Sequence, residues 1–223
     1  MEGNVLRELQ IYLNELDTAV LATPWRDKSV YGAFLAQTKY YVSHSTRLLA
    51  LAASRFRFSE EQLHRRFIKH ATEEMSHETL ALRDLQDLGF SLAQYPELPA
   101  TRAFYQTQYY MIEHVSPWSF LGYILMLEGL AISKGPWLLN EIKQHHGEKA
   151  SSFVKVHAAE DVGHMADAEK AMLSVPETER PLVIEQIANS CYYYCSMLEQ
   201  CTTHAGAQFD FAPRYVTPAT LTV

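Results

Sequence analysis

Two stretches of this chain repeat one spacing of chemically useful side chains, His70-x3-Glu74-x2-His77 and His157-x3-Asp161-x2-His164. At about 3.6 residues per helical turn, positions i, i+4 and i+7 fall along one face, so each copy presents imidazole, carboxylate and imidazole in a row. Set face to face, two such rows are equipped to hold metal. Both rows also stand where a core would be expected. Leu63, Phe67, His70, Glu74, His77 and Ala81 follow alternating steps of four and three, and Phe153, His157, Asp161, His164, Ala168 and Met172 do much the same. Burying such groups unpaired costs several kcal/mol, on the order of the 2–7 kcal/mol of an uncompensated polar group. Either trio alone is as readily a solvated face or a satisfied polar network as a ligand set. The pair favours metal.

A third contributor is Glu128, the lone ionisable carboxylate or amine in the apolar run from Phe120 to Ile132. A helix apolar around most of its circumference is buried on most sides. A carboxylate there either holds its proton at a raised pKa or faces a cation, and the abundance of imidazole elsewhere suits the second. The collected donors are His77, His157, His164, Glu74, Glu128 and Asp161, with His70 and Glu73 in reserve. Structural zinc calls for thiolates and calcium for oxygen-only loops, whereas mixed imidazole and carboxylate on helices suits iron or manganese. Six donors are too many for one ion, and a dinuclear site, with metals about 3.5–4 Å apart, uses them all.

These side chains need long helices to carry them, and the punctuation of the chain suits helices throughout, with no convincing run of alternating Val, Ile and Thr. The expected class is all-α. Helices are expected over Glu2 to Ala22, Ser29 to Arg55, Ser59 to Leu88, Ala100 to His114, Pro117 to Ser133, Gly135 to His146, Lys149 to Leu173 and Glu177 to His204. Gly89 and Gly147 mark stops, and Ser116-Pro117 an N-cap followed by Pro at the first helical position. Residues 205–223, with Pro213 and Pro218, are expected as an irregular tail over the bundle. Gln37, Tyr41 and His44 interrupt the stripe between Phe34 and Leu48, as possible linings of a substrate chamber or as members of an internal polar network.

Composition sets the outer bounds. The 223 residues, 48% hydrophobic and without a Pro/Gly/Ser-rich linker, are expected to form one domain, 1–223. A net charge of −7 and the absence of a Lys/Arg cluster beyond Arg65-Arg66 exclude a nucleic-acid surface. Met1 to Leu9 lacks a signal-type apolar core, and the run from Phe120 to Ile132 is too short to span a bilayer, so a cytoplasmic protein with no membrane partner is expected. Cys191, Cys195 and Cys201 fit neither a disulfide framework nor a zinc ribbon and read as reduced core thiols.

The ligand pattern resembles the haem-oxygenase-like diiron oxidases and oxygenases, relatives in fold of TenA-type thiaminases, of the pyrroloquinoline-quinone-forming oxidase and of the chlamydial death-domain-associating protein. His157, Asp161 and His164 match that family's His-x3-Asp-x2-His set, Glu128 looks like its second-helix Glu, and His77 like its first-helix His. The run from His77 to Gly89 is similar to the segment that follows the family's ligand His. Some members place the first-helix Glu seven residues before that His, which here is His70. Others use Glu-x2-His, which Glu74 and His77 satisfy, so Glu74 is taken as the ligand and Glu73 as its fallback.

The resemblance spans roughly residues 30–205 and implies a seven-helix bundle, two iron ions with manganese as the alternative, and O2 as co-substrate. It further implies oxidation of a small substrate such as an amine, an amino acid or a fatty-acid-like molecule. A small-molecule substrate, an electron donor and a homodimer are the expected partners. The ferritin-like alternative wants a carboxylate from Ser29 to Arg55, which holds neither Glu nor Asp. A haem protein would leave most of the clustered ligands unexplained. The competing reading is a metal-free TenA-like bundle that binds a small molecule or another protein. A cofactorless oxidase would want basic residues on the core stripes, where Lys and Arg are scarce.

Overall fold

A computed structural model of the chain describes residues 3–203, apart from the side chains at 3–4, 160–167 and 169. The side chains of Asp161 and His164, and the tail expected over 205–223, lie outside the described residues. Among the described residues the fold is all-α. Its helices are α1 (Gly3–Ala22), α2 (Lys28–Val42), α3 (Ser45–Arg55), α4 (Glu61–Glu73), α5 (His77–Asp87), α6 (Pro99–His114), α7 (Phe120–His146), α8 (Ser152–Met172) and α9 (Arg180–Thr203). The α2–α3 and α4–α5 pairs each occupy a stretch expected as one helix, so with each pair counted once the helices number seven.

Three of the expected boundaries move. The helix expected over Ser59 to Leu88 is interrupted at residues 74–76, where Ser76 takes the left-handed conformation, φ 75°. The backbone N–H groups of Glu74 and Met75 turn back to the carbonyls of His70 and Thr72, and the chain restarts with the Ser76 carbonyl accepting from Thr79 N and Oγ1 at 2.9 and 2.6 Å. The helix expected over Ser29 to Arg55 divides at Ser43-His44, where the N–H groups of Ser43 and His44 cap α2 on the carbonyls of Lys39 and Tyr41 respectively. Conversely, the two helices expected over Pro117–Ser133 and Gly135–His146 are one, and α7 runs through Pro136. Pro removes one helical hydrogen bond. Packing on both sides of Pro136 outweighs that loss: Leu130, Leu138 and Ile142 are all buried.

Helix α7 touches α1, α6, α8 and α9, and its residues Phe120–Met126 are buried without a break. Such closeness depends on small residues. A Cβ on Gly122 would collide with the Val183 carbonyl of α9, and one on Gly135 would stand 3.0 Å from the Cβ of Ala158 in α8. The contact of Gly135 with Ala158 fixes the level at which α8, and with it His157, runs past α7. The core around α7 is filled by Phe67, Phe104, Phe120, Leu121, Leu125 and Met126.

Candidate metal centre

Helix α4 carries a buried stripe of Leu63, Phe67 and His70, and it ends at the next member of the series, Glu74. Glu74 is the C-cap, and the break behind it turns the chain so that His77 opens α5 on the same side. Glu128 is buried in α7, and His157 lies on the second turn of α8. Four helices, α4, α5, α7 and α8, and one break therefore bring these side chains together.

The separations are short. Single donor atoms of Glu74, His77 and His157 all lie within 4.8 Å of one another. His77 Nδ1 is 3.5 Å from Glu74 Oε2, and the rings of His77 and His157 meet edge to face at 4.9 Å. His70 Nε2 lies 3.6 Å from Glu74 Oε1 and 3.5 Å from Glu128 Oε1. Nδ1 of His157 pairs with the Phe153 carbonyl at 2.9 Å, and the Phe153 ring packs on the imidazole at 4.1 Å. An imidazole that donates from Nδ1 keeps its Nε2 lone pair for a metal.

Burial disfavours the charged form of Glu74, but contacts with His70 and His77 and the field of His157 outweigh it and hold this carboxyl well below the usual carboxylate range. The carboxyl is therefore charged at any physiological pH. The arrangement also has anchors outside the centre. Asp84 of α5 accepts the Phe153 N–H at 2.8 Å across the helix boundary, and Tyr31 donates its hydroxyl to the Ala150 carbonyl at 2.6 Å. The first holds the start of α8 one turn before His157, and the second holds the short turn that leads into α8.

Beside these donors lies a mostly apolar cavity of about 120 Å³, whose wall includes Trp25, Phe34, Tyr41, Tyr123, Leu138 and Tyr194, and which reaches His70, Glu74, Glu128 and His157. Burial raises the phenols of Tyr123 and Tyr194 far above their ordinary values, so both stay protonated. The Tyr123 hydroxyl has no hydrogen-bond partner among the described residues.

Of the other residues singled out in the sequence, Tyr41 lines the cavity. Gln37 does not: its amide holds the start of α6, donating to the Pro96 carbonyl and accepting from Leu98 N and Thr101 Oγ1 at 2.9 and 2.8 Å. His44 sits at the α2–α3 corner, bonded to the Tyr109 hydroxyl at 3.0 Å and stacked on the Tyr105 ring. Glu73 pairs with Lys69 at 3.1 Å on the outer face of α4. Asp161 and His164 follow His157 on α8, with side chains outside the described residues. Tyr123 and Trp25 escaped the sequence reading, and Phe153 entered it only as a core-stripe residue, because an aromatic on an apolar stripe carries no signal that separates chamber wall from core.

The donor chemistry, three imidazoles and two carboxylates converging beside an apolar chamber, fits a divalent transition metal. Comparison with known proteins agrees with the fold and with iron. No curated protein matches the chain. Among solved structures, a domain of unknown function with a haem-oxygenase-like fold from Shewanella denitrificans superposes with a TM-score of 0.77 at 21% identity, covering 87% of this chain and 90% of that one. A TenA homologue from Pseudomonas syringae pv. tomato gives 0.70 at 13% identity, covering 87% and 92%. A CADD-like protein of unknown function from Nostoc punctiforme gives 0.69 at 15% identity, covering 90% and 98%. Residues 32–196 match the model of a family described as iron-containing redox enzymes, and the chain belongs to that family, in a haem-oxygenase-like bundle.

Proposed function

We propose that this chain is an O2-dependent oxidoreductase that holds two iron ions, with manganese as the alternative metal, and oxidises a small organic substrate of the amine, amino acid or fatty-acid-like kind. The observation that carries the reading is the convergence of Glu74, His77 and His157 within 4.8 Å at the end of an apolar chamber that Glu128 also reaches. The proposed ligands are Glu74, His77, Glu128 and His157, with Asp161 and His164 from the following turns of α8. When bound, iron supplies the one-electron steps that O2 reduction requires.

The residues of the chain do the rest. Glu74 offers a carboxylate that needs no deprotonation to receive a cation. The Phe153 carbonyl sets the His157 tautomer. The aromatic wall keeps bulk water from the reacting groups, and the Tyr123 hydroxyl stands ready to donate to a molecule in the chamber. Insertion of one oxygen atom draws two electrons from the substrate and two from an external donor, and the second oxygen leaves as water.

The test is anaerobic titration of metal-stripped protein with Fe(II), followed by rapid mixing with O2 and stopped-flow absorbance, in the wild type and in Glu128→Ala. About two ions per chain and a transient visible band are expected in the wild type, with the band absent and one ion lost in the variant. A wild type that binds neither iron nor manganese overturns the proposal in favour of a metal-free binding bundle.

A further inference from the structure

We infer that His70 is itself a metal ligand and that Glu74 is the carboxylate joining two metal positions, an assignment that rests on the dinuclear reading above. The two oxygens of Glu74 look in different directions. Oε1 lies 3.6 Å from His70 Nε2, whereas Oε2 lies 3.5 Å from His77 Nδ1. His70 Nε2 in turn stands between two carboxylates, 3.6 Å from Glu74 and 3.5 Å from Glu128. His70 is buried at the end of the α4 stripe and lines the chamber, so this placement is not that of a solvated surface histidine.

These separations exceed the ~2.7–2.9 Å of a charge-assisted hydrogen bond. They approach the spacing of two donors each ~2.1 Å from one shared ion, which is ~3.0 Å at a right angle and ~3.4 Å at the tetrahedral angle. One N–H vector points at one carboxylate oxygen, not at two on different helices. A divalent cation among the three atoms is attracted by all of them at once. Among the described residues the donors thus divide into two sets that share Glu74: His70, Glu128 and Glu74 Oε1 on one side, and His77, His157 and Glu74 Oε2 on the other. An imidazole at position 70 contributes no charge, so its metal position is less anionic than one built with a further carboxylate and favours the reduced, divalent ion.

Anaerobic calorimetric titration with Mn(II) and with Fe(II), joined to electron paramagnetic resonance of the Mn(II)-loaded protein, tests this in the wild type, His70→Ala and His70→Gln. The wild type should take two Mn(II) per chain with the broadened spectrum of a coupled pair. Both variants should take one, with the second affinity weakened at least about tenfold and an isolated six-line Mn(II) spectrum. Thermal melts of the metal-free proteins check folding, and the glutamine variant decides if alanine unfolds the α4 end. Two ions, wild-type affinity and a coupled spectrum in a folded variant overturn the His70 assignment and leave the dinuclear reading standing. Absence of binding in the wild type overturns both.

Discussion

A single carboxylate outside the centre, Asp84, does much to place His157. It accepts the Phe153 N–H and so satisfies one of the open amides at the start of α8 from a different helix. Asp84→Ala should therefore destabilise the protein by about 1–2 kcal/mol in denaturant unfolding, and should weaken metal binding through His157. The pH dependence has a definite sign. Burial raises the Asp84 carboxyl above its ordinary 3.8 despite the Phe153 and Ser152 hydrogen bonds. The folded state therefore holds this proton more tightly than the unfolded state. Stability from Asp84 is largest below pH 3.8 and declines as pH climbs to the raised value; Asp84→Asn should lack that decline and run parallel to the wild type above it. At this scale the sequence was informative where a polar residue had no ordinary reason to be: Glu128 in an apolar helix and the two histidine trios stood out. Gln37 and His44 stood out equally, yet neighbours distant in sequence, Pro96, Thr101 and Tyr109, answer their polarity. No spacing rule reports that.

Breaks between elements matter as much as the helices. The interruption at 74–76 puts Glu74 at the end of one helix and His77 at the start of the next, and it leaves Ser76 at φ 75°, a conformation that costs an L-residue about 1–2 kcal/mol. Ser76→Gly should be neutral or stabilising by up to about 1 kcal/mol, whereas a β-branched Ser76→Val should lose about 1–3 kcal/mol in chemical denaturation, with weaker Mn(II) binding in calorimetry. Equal stability and equal affinity in the valine variant would show that the break is not strained and does not position the ligands. The sequence hides this break because the alternation of four and three passes through it unaltered, and Ser is no helix breaker. Pro136 misleads in the opposite sense: it marks a boundary that the packing of α7 overrides.

For the whole molecule, the proposed metal site links metal binding to folding. The proposed ligands on α4, α5, α7 and α8 are brought together only by folding, so an ion held by them is bound by the native state alone. Mn(II) at about a hundred times its dissociation constant should stabilise the protein by about 2.7 kcal/mol, a rise in melting temperature of about 5–11 °C. Glu128→Ala should lose most of that rise, and a wild type that melts identically with and without Mn(II) would contradict the linkage. The helical class was legible at this scale because apolar periodicity survives local errors, as were the elements that carry the ligands. The chamber was not, since its wall is assembled from α1, α2, α3, α4, α7, α8 and α9 and from the turn that holds Trp25.

Trp25 has a further consequence. Its indole N–H is fixed on the Val20 carbonyl at 2.7 Å, and its ring forms part of the chamber wall. The chain's other two tryptophans stand elsewhere, Trp118 packed on Phe56 in the core and Trp137 on the outer face of α7. The chamber therefore carries its own fluorophore. A molecule that fills it changes the polarity and quenching around one indole of three, so that entry and departure of a colourless substrate are written directly into the ultraviolet emission of the protein.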